Sequence, residues 1–423
     1  MSRLRLYGVL TAGVFLLGFV PCLFAQAVHH PGVEGGETAA LEESQISDET
    51  SSSGNILERS NNLPTRLRGY ASHNENLEET KPLMERVEWN VSVIGVMQGN
   101  TKTTPNYASR VDGSFTLDLE ALVQVTEHGS AYGLIQAGNG AGIDGRVPTF
   151  SGFNGDAMED SDFQVSELWY QHEWCESRFR FRIGKVDLTT DFDCNEYAND
   201  ENTQFLSGGF INNMAVEFPD YAFGGMFWMT LCKRIDLGYG YAKNDNEWED
   251  LFHNGFHIAE VIFKFHFIDD GCKGHLRFYG WCNAGEHADF AGIREDRNNC
   301  GWGISYDDAL TERLGVFLRY GSQRENVSEI GQAVSAGLQL SEPLFGRTDD
   351  VLGFAWGCCL LSDDYRNTCD FQTADEHHLE LYYNWQANRA LQLCPNFQWV
   401  ANPEGNRDAD DVCVLGLRLL LSI

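Results

Sequence analysis

Beyond its first 27 residues the chain lacks any uninterrupted apolar run of about 18 residues, the length a helix needs to cross lipid, which argues against a helical membrane domain. Cations are scarce. Thirty Lys and Arg stand against 62 Asp and Glu, a formal charge of −32 that argues against a nucleic-acid partner and leaves the fold open. With only 10 prolines in 423 residues, little interrupts extended strands. None of the 12 cysteines falls at C-x-x-C spacing, and no H-E-x-x-H or nucleophile-elbow motif occurs. Metal, cofactor and catalysis therefore have no positive signal, and the chain reads as a non-enzyme.

What is present begins with an export signal. Arg3 and Arg5 precede an apolar run from about Val9 to Phe24 that ends in Ala25-Gln26-Ala27, so residues 1–27 read as a signal peptide cleaved after Ala27. Residues 28–86 are acidic and Ser/Gly-rich, and read as a disordered periplasmic extension. Eleven cysteines lie beyond the leader, from Cys175 to Cys413; in an exported chain these favour disulfides, and the odd number leaves at least one thiol free or joined to another molecule.

From Val87 onward, alternation takes over. Val87, Trp89, Val91 and Val93 alternate with Glu88, Asn90 and Ser92, and Phe115, Leu117, Leu119, Ala121, Val123 and Val125 alternate with Thr116, Asp118, Glu120 and Gln124. The second run is long enough to cross a bilayer as a tilted strand. The pattern returns around Ile235 to Tyr241, Val261 to Phe267, Leu276 to Tyr279 and Leu379 to Trp385, and ends in Leu415, Leu417, Leu419, Leu421 and Ile423. One face of each strand is apolar and aromatic and the other polar. A soluble sandwich rarely makes strands so long, whereas a closed barrel around a wet lumen requires both faces. About 340 residues at roughly 20 per strand and connection give about 16 strands. The fold class is thus an all-β, transmembrane antiparallel barrel over residues 87–423.

The alternation also predicts what faces the pore. In Arg178 to Ile183, Arg178, Arg180 and Arg182 share one face, and Phe179, Phe181 and Ile183 the other. By phase, Arg277, Arg319 and Arg418 join these arginines in the lumen, opposite Asp118, Glu120, Glu260 and Glu380. Tyr279 and Trp281 fall in phase with Arg277, Tyr382 with Glu380, and Trp169 with Glu167, Gln171 and Glu173. Arginine forks and aromatic rings on a wet wall suit hydroxyl-rich solutes. His377 and His378 are adjacent, so in a strand they point to opposite faces and cannot share one metal. Gly140-Ala141-Gly142-Ile143-Asp144-Gly145 matches G-x-G-x-x-G, but Pro148 defeats the helix a dinucleotide site needs, and a glycine-rich loop is expected.

The run from Gly184 to Asn213, GKVDLTTDFDCNEYANDENTQFLSGGFINN, resembles the central signature of carbohydrate-selective outer-membrane porins of the OprB type. Leu314-Gly315-Val316-Phe317 with Arg319-Tyr320-Gly321, Gly346-Arg347-Thr348-Asp349-Asp350, and Leu393 to Val400 extend the similarity along about Val87 to Ile423. The resemblance implies a 16-stranded barrel in the bacterial outer membrane that passes small carbohydrates by facilitated diffusion, its constriction formed by charged residues and inward-folded loops. Within the signature it adds Lys185, Asp187, Glu196, Asp200 and Glu201 to the candidate pore-lining residues. Sugars and outer-membrane lipid are the expected partners, and a homo-oligomer, trimeric or disulfide-linked, is the expected assembly. The alternative is a cysteine-cross-linked structural outer-membrane protein with an incidental general-diffusion pore. The many cysteines and the terminal Ile423, where the family ends in an aromatic residue, depart from the pattern.

Overall fold

The structure is a computed structural model that describes residues 86–100, 107–244, 248–265, 274–290, 292, 297–343 and 346–423. The expected signal peptide lies outside the described residues, as do all but the last position of the acidic extension. Strands β1 (Val87–Asn100), β2 (Val111–Thr126), β3 (Gly129–Gly140), β4 (Met158–Trp174), β5 (Phe179–Val186), β6 (Ala222–Cys232), β7 (Ile235–Lys243) and β8 (Gly255–Phe265) form the first half of the sheet. The second half is β9 (Gly274–His287), β10 (Arg297–Ala309), β11 (Leu314–Gln323), β12 (Ile330–Ser341), β13 (Val351–Leu361), β14 (Glu376–Gln386), β15 (Leu391–Ala401) and β16 (Val412–Ser422). Each pairs antiparallel with its sequence neighbours, and β1 closes on β16.

Closure leaves no unpaired edge, which is the condition for a sheet to sit in lipid. At the seam Val91 and Ile423 exchange backbone hydrogen bonds of 3.2 and 3.0 Å, so the last residue takes part in closing the barrel. Outward residues such as Trp89, Phe115, Phe163 and Leu415 are exposed, whereas the alternate positions Asn90, Thr116, Asp118 and Glu120 are buried in the lumen. The solvent-accessible face is thus the apolar one, the inverse of a soluble domain and the arrangement expected of a lipid-facing wall. His377 stacks outward on Trp356 at 6.0 Å, and His378 is buried inward, opposite faces as the alternation requires.

Connections divide the barrel into two rims. Residues 127–128, 233–234 and 387–390 make tight turns at one end, and the other end carries long segments, chief among them residues 187–221 between β5 and β6. The 187–221 segment, hereafter the inner loop, folds into the lumen. Its Ala198, Phe205 and Phe210 pack with Phe317, Val351, Ala355 and Tyr382 of the wall, and its Phe192 stacks on Trp228 at 5.0 Å. Residues 141–157 between β3 and β4 also turn inward, and Ile143, Val147 and Phe153 pack against Val400, Val412 and Val414. Such apolar clusters fix loops that polar side chains alone would leave in water.

Two expected lumen residues lie elsewhere. Arg178 occupies the exposed turn 175–178, in which Cys175, Glu176 and Ser177 all have positive φ, and β5 starts only at Phe179. Lys185 stands two residues after the outward Ile183 and pairs with the exposed Leu168, so the period that turns Arg182 inward turns Lys185 outward. Its Nζ donates to the carbonyl of Val165 at 2.8 Å. One disulfide, Cys282–Cys300, joins directly opposed residues of β9 and β10, and eight other described cysteines are free.

Candidate functional site

The inner loop starts where Asp187 accepts from Thr189 N at 2.9 Å, which caps a short turn and leads the chain off β5 and inward. Every remaining lumen arginine expected from the sequence then meets a protein partner. Arg180 and Arg182 reach the two oxygens of Asp191 at 2.9 and 2.6 Å. Arg182 also donates to Gln171 Oε1 at 2.9 Å and lies over the Trp169 ring at 4.1 Å.

Asp193 is the deepest anchor. Arg319, 1% exposed, lies 3.2 Å from its carboxylate and donates to the carbonyls of Asp193 at 2.8 Å and Phe210 at 2.7 Å. Tyr279 donates to the same carboxylate at 2.9 Å and accepts from Asn213 at 2.8 Å, while Glu260 accepts from Asp193 N at 2.9 Å. Arg277 pairs instead with Asp307 on the adjacent strand. Farther round, Glu380 accepts from Leu206 N at 2.7 Å and Ser207 N at 3.0 Å, and Arg418 donates to Gln204 O at 3.0 Å and to Glu201 O.

A buried guanidinium is tolerated when carboxylates and carbonyls take up its donors; Arg180, Arg182, Arg319 and Arg418 find such partners on the loop and Arg277 on β10. The arginine wall expected to meet solute is therefore largely a clamp on the loop. Tyr279, Trp281 and Trp169 do point inward, but they belong to an apolar cluster with Phe192, Trp228 and Phe256. Trp281 stacks on Phe256 at 5.8 Å and Trp169 on Tyr132 at 5.0 Å.

A serine–histidine pair occurs where the second inward loop meets β14. Ser151 Oγ lies 2.7 Å from His378 Nδ1 and donates to Glu376 at 2.7 Å, and the same carboxylate accepts from Phe150 N and Ser151 N, each at 2.9 Å. The void beside it is only about 10 Å³, room for about one water. Its geometry holds a loop and leaves no space for a substrate.

Open space lies on the other side of the inner loop. A cavity of about 730 Å³ runs between the loop and the wall of β2, β3 and β4. Thr116, Gln136 and Gln164 supply the wall side. Asp156, Asp187, Glu201, Glu217 and Asp220 bring carboxylates, and Asn199, Asn212 and Asn213 bring amides. Of the expected site residues, Asp187 and Glu201 thus reach the cavity. Asp200 instead caps its own turn, accepting from Asn202 N at 2.9 Å and Thr203 Oγ1 at 2.7 Å.

Glu196 lies on the inner loop next to Asn195, whose amide donates to Tyr306 O at 3.0 Å near the short-turn end of β10. Burial, reinforced by the Asp307 carboxylate and opposed by Arg277, pushes the Glu196 carboxyl up to about 7. Asp156, Gln164, Glu217 and Asp220 were not among the expected pore residues. Three of the four lie in irregular segments where alternation gives no phase, although Asp156 stands out in sequence as part of an acidic run.

Known proteins share this architecture. The structure of Pseudomonas putida OprB at high pH superposes with a TM-score of 0.71 over 81% of this chain and 95% of that one, at 15% identity. Its low-pH structure gives a TM-score of 0.54 at 13% identity, over 86% and 99%. An uncharacterized protein of Aquifex aeolicus (strain VF5) is 27% identical over 236 residues, 56% of this chain; the match spans 62% of that relative's length. The family described as carbohydrate-selective porin, OprB family, matches residues 102–422, most of the barrel from the start of β2 to the end of β16. The chain belongs to the OprB family of carbohydrate-selective porins, and is an outer-membrane porin.

Proposed function

We propose that this porin gives small carbohydrates and other small polar solutes a passive, facilitated route across the outer membrane, through the space between the inner loop and β2–β4. The observation that carries this reading is the open cavity of about 730 Å³ beside a loop pinned in the lumen. A volume of that order accommodates a small sugar with some of its water, within the usual range of ligand sites. Amides and carboxylates at its wall exchange hydrogen bonds with hydroxyls, so a sugar loses little on leaving water. The short turns are assigned to the periplasm and the long loops to the outside, the orientation usual for such barrels.

Planar-bilayer conductance of the purified full-length protein tests this. Conductance that falls on addition of glucose or maltodextrin is the expected result, and conductance indifferent to every sugar removes the carbohydrate role.

The second reading, a cysteine-cross-linked envelope protein, draws on Cys175 and Cys232, which expose thiols on neighbouring turns at the short-turn rim. Oligomers that dissolve only in reductant support it, whereas monomer alone on a non-reducing gel removes it. A trimer held without disulfides is read from the mass of the detergent-solubilised complex.

A further inference from the structure

The lumen carries arginines and carboxylates, but the two are not evenly distributed over the space a solute crosses. Arg182, Arg319 and Arg418 are buried against the inner loop, and Arg277 against Asp307. The cavity wall contains five carboxylates and, among the described residues, no Lys, Arg or His. Asp187 accepts from Thr189, and Glu217 accepts from Asn283 and Asn299 and lies 2.8 Å from His287. At the long-loop end, Asp363, Asp364, Asp408 and Asp411 are exposed and add negative charge to the approach.

From this distribution we propose that the passage discriminates by charge: it conducts cations over anions, and admits amine-bearing sugars and neutral polyols ahead of sugar acids and sugar phosphates. The inference rests on the solute pathway proposed above. The physical cause is the field of carboxylates held round a narrow, walled space, which concentrates counter-ions and repels co-ions more strongly than the same charges on an open surface. Several such carboxylates round one cavity lead us to expect about a tenfold preference for a cationic over an anionic sugar at low salt, shrinking as salt rises. The arginines are turned to the inner loop and, for Arg277, to Asp307, and none of them lines the cavity, so their charge acts on it only at longer range.

The test uses the full-length protein in two measurements. In planar bilayers under a KCl gradient, the reversal potential is expected to show potassium passing about fivefold or more ahead of chloride, a ratio of the size such fields produce. In proteoliposomes, swelling rates are expected to order glucosamine, then glucose, then gluconate. Asp220→Asn, at an exposed loop position, and Asp187→Asn should each move both readouts toward neutrality by about twofold. Chloride passing as readily as potassium, or gluconate entering as fast as glucosamine, overturns the inference even when glucose permeates. Cation selectivity with no entry of any sugar leaves the charge inference standing and removes the carbohydrate pathway.

Discussion

The two sides of the inner loop differ in kind. Toward β9, β11, β14 and β16 it is pressed to the wall by Arg319, Tyr279, Glu380 and Arg418, with aromatic rings filling the gaps. Toward β2, β3 and β4 it stands off behind a cavity of about 730 Å³ faced with Gln136, Gln164 and carboxylates. Both walls are polar by the same alternation. The first shows that a lumen charge within reach of a loop carbonyl or carboxylate is used to hold the loop; on the second side the wall is neutral and the carboxylates that line the cavity come from the loops.

That contrast can be broken in graded ways. The largest effect is expected from Phe181→Arg, which places a charge on the lipid face of β5 and should cost roughly 2 to 4 kcal/mol near the bilayer midplane. Loss of the heat-modifiable barrel band on a gel is the readout. Next comes Arg319→Ala, which strips a buried partner from Asp193 and should loosen the inner loop by roughly 3 to 5 kcal/mol while the barrel persists. Protease cleavage within residues 187–221 and a higher single-channel conductance should appear together. Unchanged protection would show that apolar packing alone holds the loop.

A smaller effect belongs to Glu196. Burial holds its carboxyl at about 7, so the docked loop keeps it neutral where a free carboxyl is charged; docking should weaken, and protease sensitivity of residues 187–221 rise, as pH goes from about 5 to about 7. Glu196→Gln should flatten the rise. The smallest expectation is Lys185→Ala: an outward lysine at the end of β5 should leave the reversal potential where it was and shift stability by no more than about 0.5 kcal/mol.

Many of the strands, their approximate number and the facing of Asp118, Glu120, Arg182 and Tyr382 were legible in the sequence, because a barrel with lipid outside and water inside imposes a period of two over its whole length. Lys185 became a candidate through its place in the Gly184 to Asn213 signature, and in the structure the period that turns Arg182 inward turns it outward. What could not be read was the partner of each inward charge. Alternation assigns Arg319 and Arg418 a face, but their partners Asp193 and Gln204 lie more than a hundred residues earlier, in a loop without period. The cavity residues Asp156, Glu217 and Asp220 escaped for the same reason, since irregular backbone carries no phase.

The Arg319 and Arg418 anchors also impose an order on assembly. The inner loop leaves β5 early in the chain, yet the groups that fasten it come from β11, β14 and β16, and β16 must itself pair with β1. The loop therefore cannot finish docking until the last strand has been added. Until β16 arrives the carbonyls of Glu201 and Gln204 lack Arg418, and such non-local contacts form late because they wait on the closing of long chain segments. Passage through the channel and completion of the barrel thus become linked events: a narrow lumen exists only in a molecule whose ends have met.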